Sequence, residues 1–138
     1  MGLFGRLGWN DGKTESFAFT AIDRLASGGI SVTGAKWKRP FDTLATALTV
    51  SGVSGVHAVY LAAGGQDFII GDGALRCGPE YVSETYYSAR VLPGVFATLD
   101  LQRVVNPAFN RDRGPVLIPT FRLHVELNKD TFQRRGRS

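Results

Sequence analysis

The sequence predicts an all-β fold, an antiparallel sheet of about seven strands in up-and-down order. Three observations predict it. Apolar and polar residues alternate with a period of two in segment after segment, no stretch repeats apolar residues at helical spacing, and the links between segments alternate between short and long.

The alternation starts near the first residue, where Leu3, Leu7 and Trp9 oppose Phe4, Arg6 and Gly8. It continues with Phe17, Phe19 and Ala21 against Ser16, Ala18 and Thr20, then with Ile30 and Val32 against Ser31 and Thr33. Over residues 43–51, Leu44, Leu48 and Val50 oppose Ala45, Ala47, Thr49 and Ser51. Over 84–91, Glu84, Tyr86, Ser88 and Arg90 oppose Thr85, Tyr87, Ala89 and Val91. Val95, Ala97, Leu99 and Leu101 then oppose Phe96, Thr98, Asp100 and Gln102. The sharpest case is the last: Phe121, Leu123, Val125 and Leu127 against Arg122, His124 and Glu126. One face there is wholly apolar and the other polar or charged.

Short links are expected at residues 10–14, 38–41 and 92–94, long loops at 53–81 and 104–114, and a shorter loop at 23–28. Asn106-Pro107 and Arg113-Gly114-Pro115 bracket the last loop with turn chemistry, and residues 57–63 suggest a short helical turn inside the first long one. Short turns at one end and long loops at the other is the pattern of barrels that cross an outer membrane. Soluble sandwiches and small closed barrels alternate as well, so alternation leaves open which face is buried.

Composition narrows the function classes. The net charge is +4, but Lys129, Arg134, Arg135 and Arg137 against Asp130 put most of it in residues 128–138, which are expected to form a basic, disordered tail. The remaining 127 residues are nearly neutral and show no basic face interleaved with aromatics, so no nucleic-acid partner is expected. Cys77 is the only cysteine, with no CxxC or His partner at ligand spacing, and neither metal nor cofactor is expected. The uncharged run 43–66 has the length of a membrane helix but is interrupted by Gly52, Gly55, Gly64 and Gly65. Residues 1–10 lack the basic head, long apolar middle and small-residue cleavage site of a secretory signal, so an exported chain of this kind is expected to be a fragment. The glycines of GGQDFIIGDG (residues 64–73) lack the Gly-Lys-Ser/Thr ending of a phosphate loop and are read as a loop with turns.

From residue 72 to 127 the chain reads DGALRCGPEYVSETYY, a Gly-bearing turn, LDLQ, NPAFNRDRGP and FRLHVEL. Upstream stand GLFGRLGWNDGKTESFAF, WKRPFDTLATAL and YLAAGGQDF. In order and spacing these segments resemble the C-terminal part of the OprB-type carbohydrate-selective porins, over nearly all of residues 2–127. The matching positions are Asp72, Gly73, Gly78, Pro79, Glu80, Glu84, Tyr86 and Tyr87, then Asp100, Gln102, Asn106, Pro107, Asn110, Arg113, Gly114, Pro115, Arg122, His124 and Glu126. The chain departs from the pattern at Cys77, Leu101 and Phe109, where tyrosine is favoured, and at Leu127, where the pattern ends in phenylalanine.

The resemblance implies a transmembrane β-barrel segment, residues 1–127, forming part of a larger porin barrel in the bacterial outer membrane. It implies passive, carbohydrate-selective diffusion with no catalytic group, mono- or oligosaccharides and outer-membrane lipid as partners, and a homo-trimer for the full-length protein. Pore-lining and sugar-contact candidates are then the polar-face residues Arg6, Glu84, Tyr86, Arg90, Asp100, Gln102, Arg122, His124 and Glu126. Trp9 and Trp37, read as lying beside short turns, and Tyr87 are assigned to the membrane interface. His124 and Glu126 lack a third ligand for a metal, and Glu84 with Asp100 lacks the closed pocket a glycosidase pair needs. The alternative is a soluble antiparallel β-barrel binding a small apolar or sugar ligand.

Overall fold

The computed structural model describes residues 1–13, 22–67, 70 and 75–126. Its strands are β1 (Gly2–Trp9), β2 (Arg24–Thr33), β3 (Thr43–Gly52), β4 (Glu80–Leu92), β5 (Val95–Val105) and β6 (Val116–Val125). They form one sheet in chain order, each antiparallel to its neighbours. The single α-helix among the described residues, α1 (Gly55–Ala62), lies in the first long loop, and short 3-10 helices add Gly34–Trp37 and Pro107–Phe109. No described helix is long and apolar enough to cross a membrane.

Among the described residues the sheet has six strands, where about seven were expected. Residues 16–21, expected as a strand, lie outside the described residues, as do Leu127 and the tail. β1 pairs directly with β2, from Gly2 opposite Ser31 to Trp9 opposite Arg24, so residues 10–23 separate these two paired strands, and the short link expected at 10–14 runs into residues outside those described. Residues 24–28, expected as loop, are strand. Gly28 and Gly29 weaken a strand read alone, but β2 is hydrogen-bonded on both sides, and that ladder overrides local preference. β6 likewise begins at Val116, earlier than the sequence pattern suggested, with Pro119 inside it. An outer strand tolerates proline because one of its edges has no ladder to complete.

At one end of the sheet the links are short: residues 34–42, and Pro93–Gly94 between β4 and β5. Gly94 takes a left-handed φ of 76° there, beside a bulge between Arg90 and Leu92. At the other end lie the longer connections 10–23, 53–79 and 106–115. Trp9, expected beside a short turn, stands at this long-loop end because β1 runs into the 10–23 connection; Trp37 is at the short-turn end as expected.

Register decides the two faces. One carries Leu3, Leu7 and Trp9 of β1, Ile30 and Val32 of β2, Leu44, Leu48 and Val50 of β3, Leu99 and Leu101 of β5, and Phe121, Leu123 and Val125 of β6. Among the described residues no second layer covers this face: Leu7 is 86% and Phe121 65% exposed. Its hydroxyls pair internally, Thr46 Oγ1 lying 2.9 Å from Thr85 Oγ1. Arg24 and Arg103 interrupt it toward the long-loop end, where long side chains reach an interface.

The buried apolar cluster among the described residues sits elsewhere, in the connections of the long-loop end: Leu61 of α1, Ile70, Leu75 and Phe109, with Val53, Cys77 and Ala108 against them. Loops 53–79 and 106–115 lock together around it. Cys77 and Asn110 form a bridge, Gly78 N donates to Phe109 O at 2.8 Å, and Asn106 Nδ2 donates to Pro79 O at 2.8 Å. Asn106, Ala108 and Phe109 hold left-handed φ of 53°, 54° and 60°. That costly backbone is fastened by the Glu80 carboxylate, which accepts from Ala108 N at 2.8 Å.

Candidate pore-facing wall

The second face of the sheet carries most of the charged side chains, Arg24 and Arg103 being on the first. Reading across the register, one row is Phe4, Gly29, Ala47, Glu84, Gln102 and Ile118. The next is Gly2, Ser31, Ala45, Tyr86, Asp100 and Thr120. Beyond it come Ser88, Thr98 and Arg122, then Arg90, Phe96 and His124. Eight of the nine sequence-selected residues therefore lie on one face within strands. The ninth, Glu126, follows β6, where its backbone N donates to Gly94 O at 2.7 Å and its carboxylate stands 3.4 Å from His124 Nε2.

These residues are not one cluster. Tyr86 faces Asp100 across β4 and β5, and Glu84 faces Gln102, whereas Arg6 is isolated on β1. Arg90 turns toward the short-turn end, its guanidinium 4.1 Å from the centre of the Phe41 ring. Asp100 Oδ1 is buried without a hydrogen-bond partner. Arg6, Glu84, Asp100 and Arg122 form no ion pairs with one another. Such a wall offers hydrogen-bonding groups still free to engage a solute. No group of three His, Cys, Asp or Glu among the described residues is arranged to hold a metal.

Two polar centres were missed by sequence reading. At the short-turn end Asp42, 2% exposed, accepts from Arg39 Nε and Tyr87 OH on Oδ2, and from Arg90 N at 3.0 Å on Oδ1. The Arg39 hydrogen bond, against the opposing effect of burial and with help from Tyr87 and Arg90, lowers the Asp42 pKa to about 2. Tyr87 lies on the apolar face as expected, but its hydroxyl is tied to this centre and accepts from Trp37 Nε1 at 3.3 Å. At the long-loop end Asp23 accepts from Ser54 N at 2.6 Å, and its Oδ2 lies 3.2 Å from His57 Nδ1; His57 Nε2 is 3.5 Å from Asp67. Burial pushes the Asp23 carboxyl up, but the Ser54 and His57 hydrogen bonds outweigh it and hold the group below its ordinary value. Ser54 also caps α1, accepting from His57 N at 3.2 Å. Neither centre shows a spacing motif, because each joins turns that meet only when the strands pair. Cys77 packs against the loop cluster, and burial raises its thiol pKa, the opposite of an activated cysteine.

An up-and-down antiparallel sheet with an uncovered apolar face, a polar opposite face, and short and long connections segregated to its two ends is a wall of an outer-membrane-type β-barrel. The family comparison names the barrel. The carbohydrate-selective porin, OprB family, matches residues 1–127, and the chain belongs to it. Among solved structures it is similar to the high-pH structure of Pseudomonas putida OprB, with 21% identity and a TM-score of 0.62, over 76% of this chain and 26% of that one. That likeness is one of fold, and the chain spans about a quarter of the length of that porin. No curated protein matches.

Proposed function

We propose that the chain forms one wall of an outer-membrane porin through which sugars diffuse passively and selectively. The observation that carries this reading is where apolar side chains are buried. In a soluble barrel Phe121, Leu123 and Val125 would close over a packed core; here they are more than half exposed, and the buried apolar cluster lies in the loops. A bilayer supplies the missing layer against the apolar face, while the face with Glu84, Asp100, Arg122 and His124 lines water. Among the described residues the outer edges of β1 and β6 pair with no other strand, and lipid does not satisfy unpaired backbone groups, so pore formation calls for further strands. Diffusion needs no catalytic group. It needs hydrogen bonds to hydroxyls that are weak enough to let the solute leave.

The test is a single cysteine at position 125 or 124, in a Cys77-free full-length porin, carrying a fluorophore read against a lipid-borne quencher. Quenching is expected at 125 and not at 124. A folded protein with no quenching at 125 would return the chain to the soluble-barrel reading.

A further inference from the structure

The register leaves one exposed aromatic ring on the polar face that the assignment of pore-facing residues does not use. Phe4 stands opposite Gly29, and a Cβ at Gly29 would collide with Phe4 Cε1 and Cζ, so the ring lies across β2 at the place where the strand has no side chain. The ring occupies the space a side chain at Gly29 would take, and the residue remains 57% exposed. Along the same row the next residue, Ala47, is small, and after it comes Glu84. The carboxylate of Glu84 has no hydrogen-bond or ion-pair partner among the described residues. Ser31, Ala45, Ala47 and Tyr86 complete a shallow depression of about 320 Å3 between the ring and the carboxylate. From β2 to β4 is two strand spacings, roughly 10 Å. That span takes one six-membered sugar ring lying flat on the aromatic face with its hydroxyl edge toward β4.

We propose that Phe4 is a stacking platform for a pyranose at the pore wall, with Glu84 accepting hydrogen bonds from the sugar's hydroxyls. This rests on the porin reading and names a subsite within it. A pyranose has an apolar C–H face and a hydroxyl rim. The row presents the matching pair: an apolar ring set over Gly29 and an acceptor with no cation partner among the described residues. Small residues between them leave the space open, whereas on β4 and β5 larger side chains fill the face. The alternation that puts Phe4 on the polar side is visible in sequence, but its orientation is not, since that follows from pairing with Gly29.

The experiment uses the porin carrying this segment, in planar bilayers, with D-glucose titrated against potassium chloride conductance. Phe4→Leu keeps an apolar side chain and removes the ring. It should raise the half-blocking glucose concentration about three- to tenfold, the worth of one aromatic contact. Phe4→Trp should retain block and add a fluorescence signal that responds to glucose. Unchanged block in Phe4→Leu overturns the platform, as does an indole at position 4 that is silent to glucose; the second measurement decides if Phe4→Leu fails to assemble. A parent channel that neither passes glucose in liposome swelling nor is blocked by it overturns both the platform and the porin reading. Block and passage in the parent with no effect of Phe4→Leu overturn the platform alone.

Discussion

The strands and the loops bury their apolar residues in opposite ways. In the sheet, Leu3, Leu7, Leu99, Phe121 and Leu123 point outward and are exposed, while at the long-loop end Leu61, Ile70, Leu75 and Phe109 are almost fully enclosed. On the proposed porin reading, the difference follows from solvent. A sheet face that meets hydrocarbon needs no protein partner, because lipid tails are as apolar as leucine. Loops that stand in water must build their own core to stay ordered, and these recruit residues from two connections to do it.

The largest effect expected from this contrast is in the loops. Leu61→Ala empties the best-buried position and should cost about 2–5 kcal/mol. That loss should be local: faster proteolysis and hydrogen exchange across 53–79 and 106–115, with the sheet keeping its resistance to denaturing detergent. Loss of both together would show that loops and sheet share one cooperative core and would break the comparison.

Next comes the sheet. Val125→Arg should cost about 2–4 kcal/mol if the residue meets hydrocarbon near the midplane, and less toward the interface. His124→Arg, one residue away on the other face, should be nearly neutral. Urea unfolding in lipid vesicles measures both, and equal costs would erase the distinction between the faces.

The smallest effect is confined to acid and tests the short-turn end, which depends on neither lipid nor an apolar cluster. Folding lowers the Asp42 pKa from 3.8 to about 2, so the ionised carboxylate contributes its full stability above the unfolded value and loses it as pH falls through the folded one. The folded porin should therefore weaken between about pH 4 and 2. Asp42→Asn should flatten that part of the profile, measured as the temperature at which heat-modifiable migration is lost. A wild-type profile already flat below pH 4 would show that the Asp42 centre does not hold this end.

Much of the site was legible because a pleated strand imposes a period of two on any residue it contains. Arg122 and His124 opposing Leu123 and Val125 needs no tertiary information, and Glu84, Tyr86, Asp100 and Gln102 follow the same rule. β2 was read only in part, since Gly28 and Gly29 look like a break until ladders on both sides are present. The contact of the Arg90 guanidinium with the Phe41 ring at the short-turn end was not legible either, since it joins a strand to a turn some fifty residues away.

By itself, then, the sequence determined most of the strand pattern, the placing of most charges on one face and, through its motifs, the family; these depend on residue type and order along one strand. Only the tertiary structure decided which residues lie side by side. Asp42 beneath Tyr87 and Arg90, His57 between Asp23 and Asp67, and the Phe4 ring across Gly29 are contacts between residues separated by many positions in the chain. Their cause is register, and register is a property of pairs of strands that no single segment encodes.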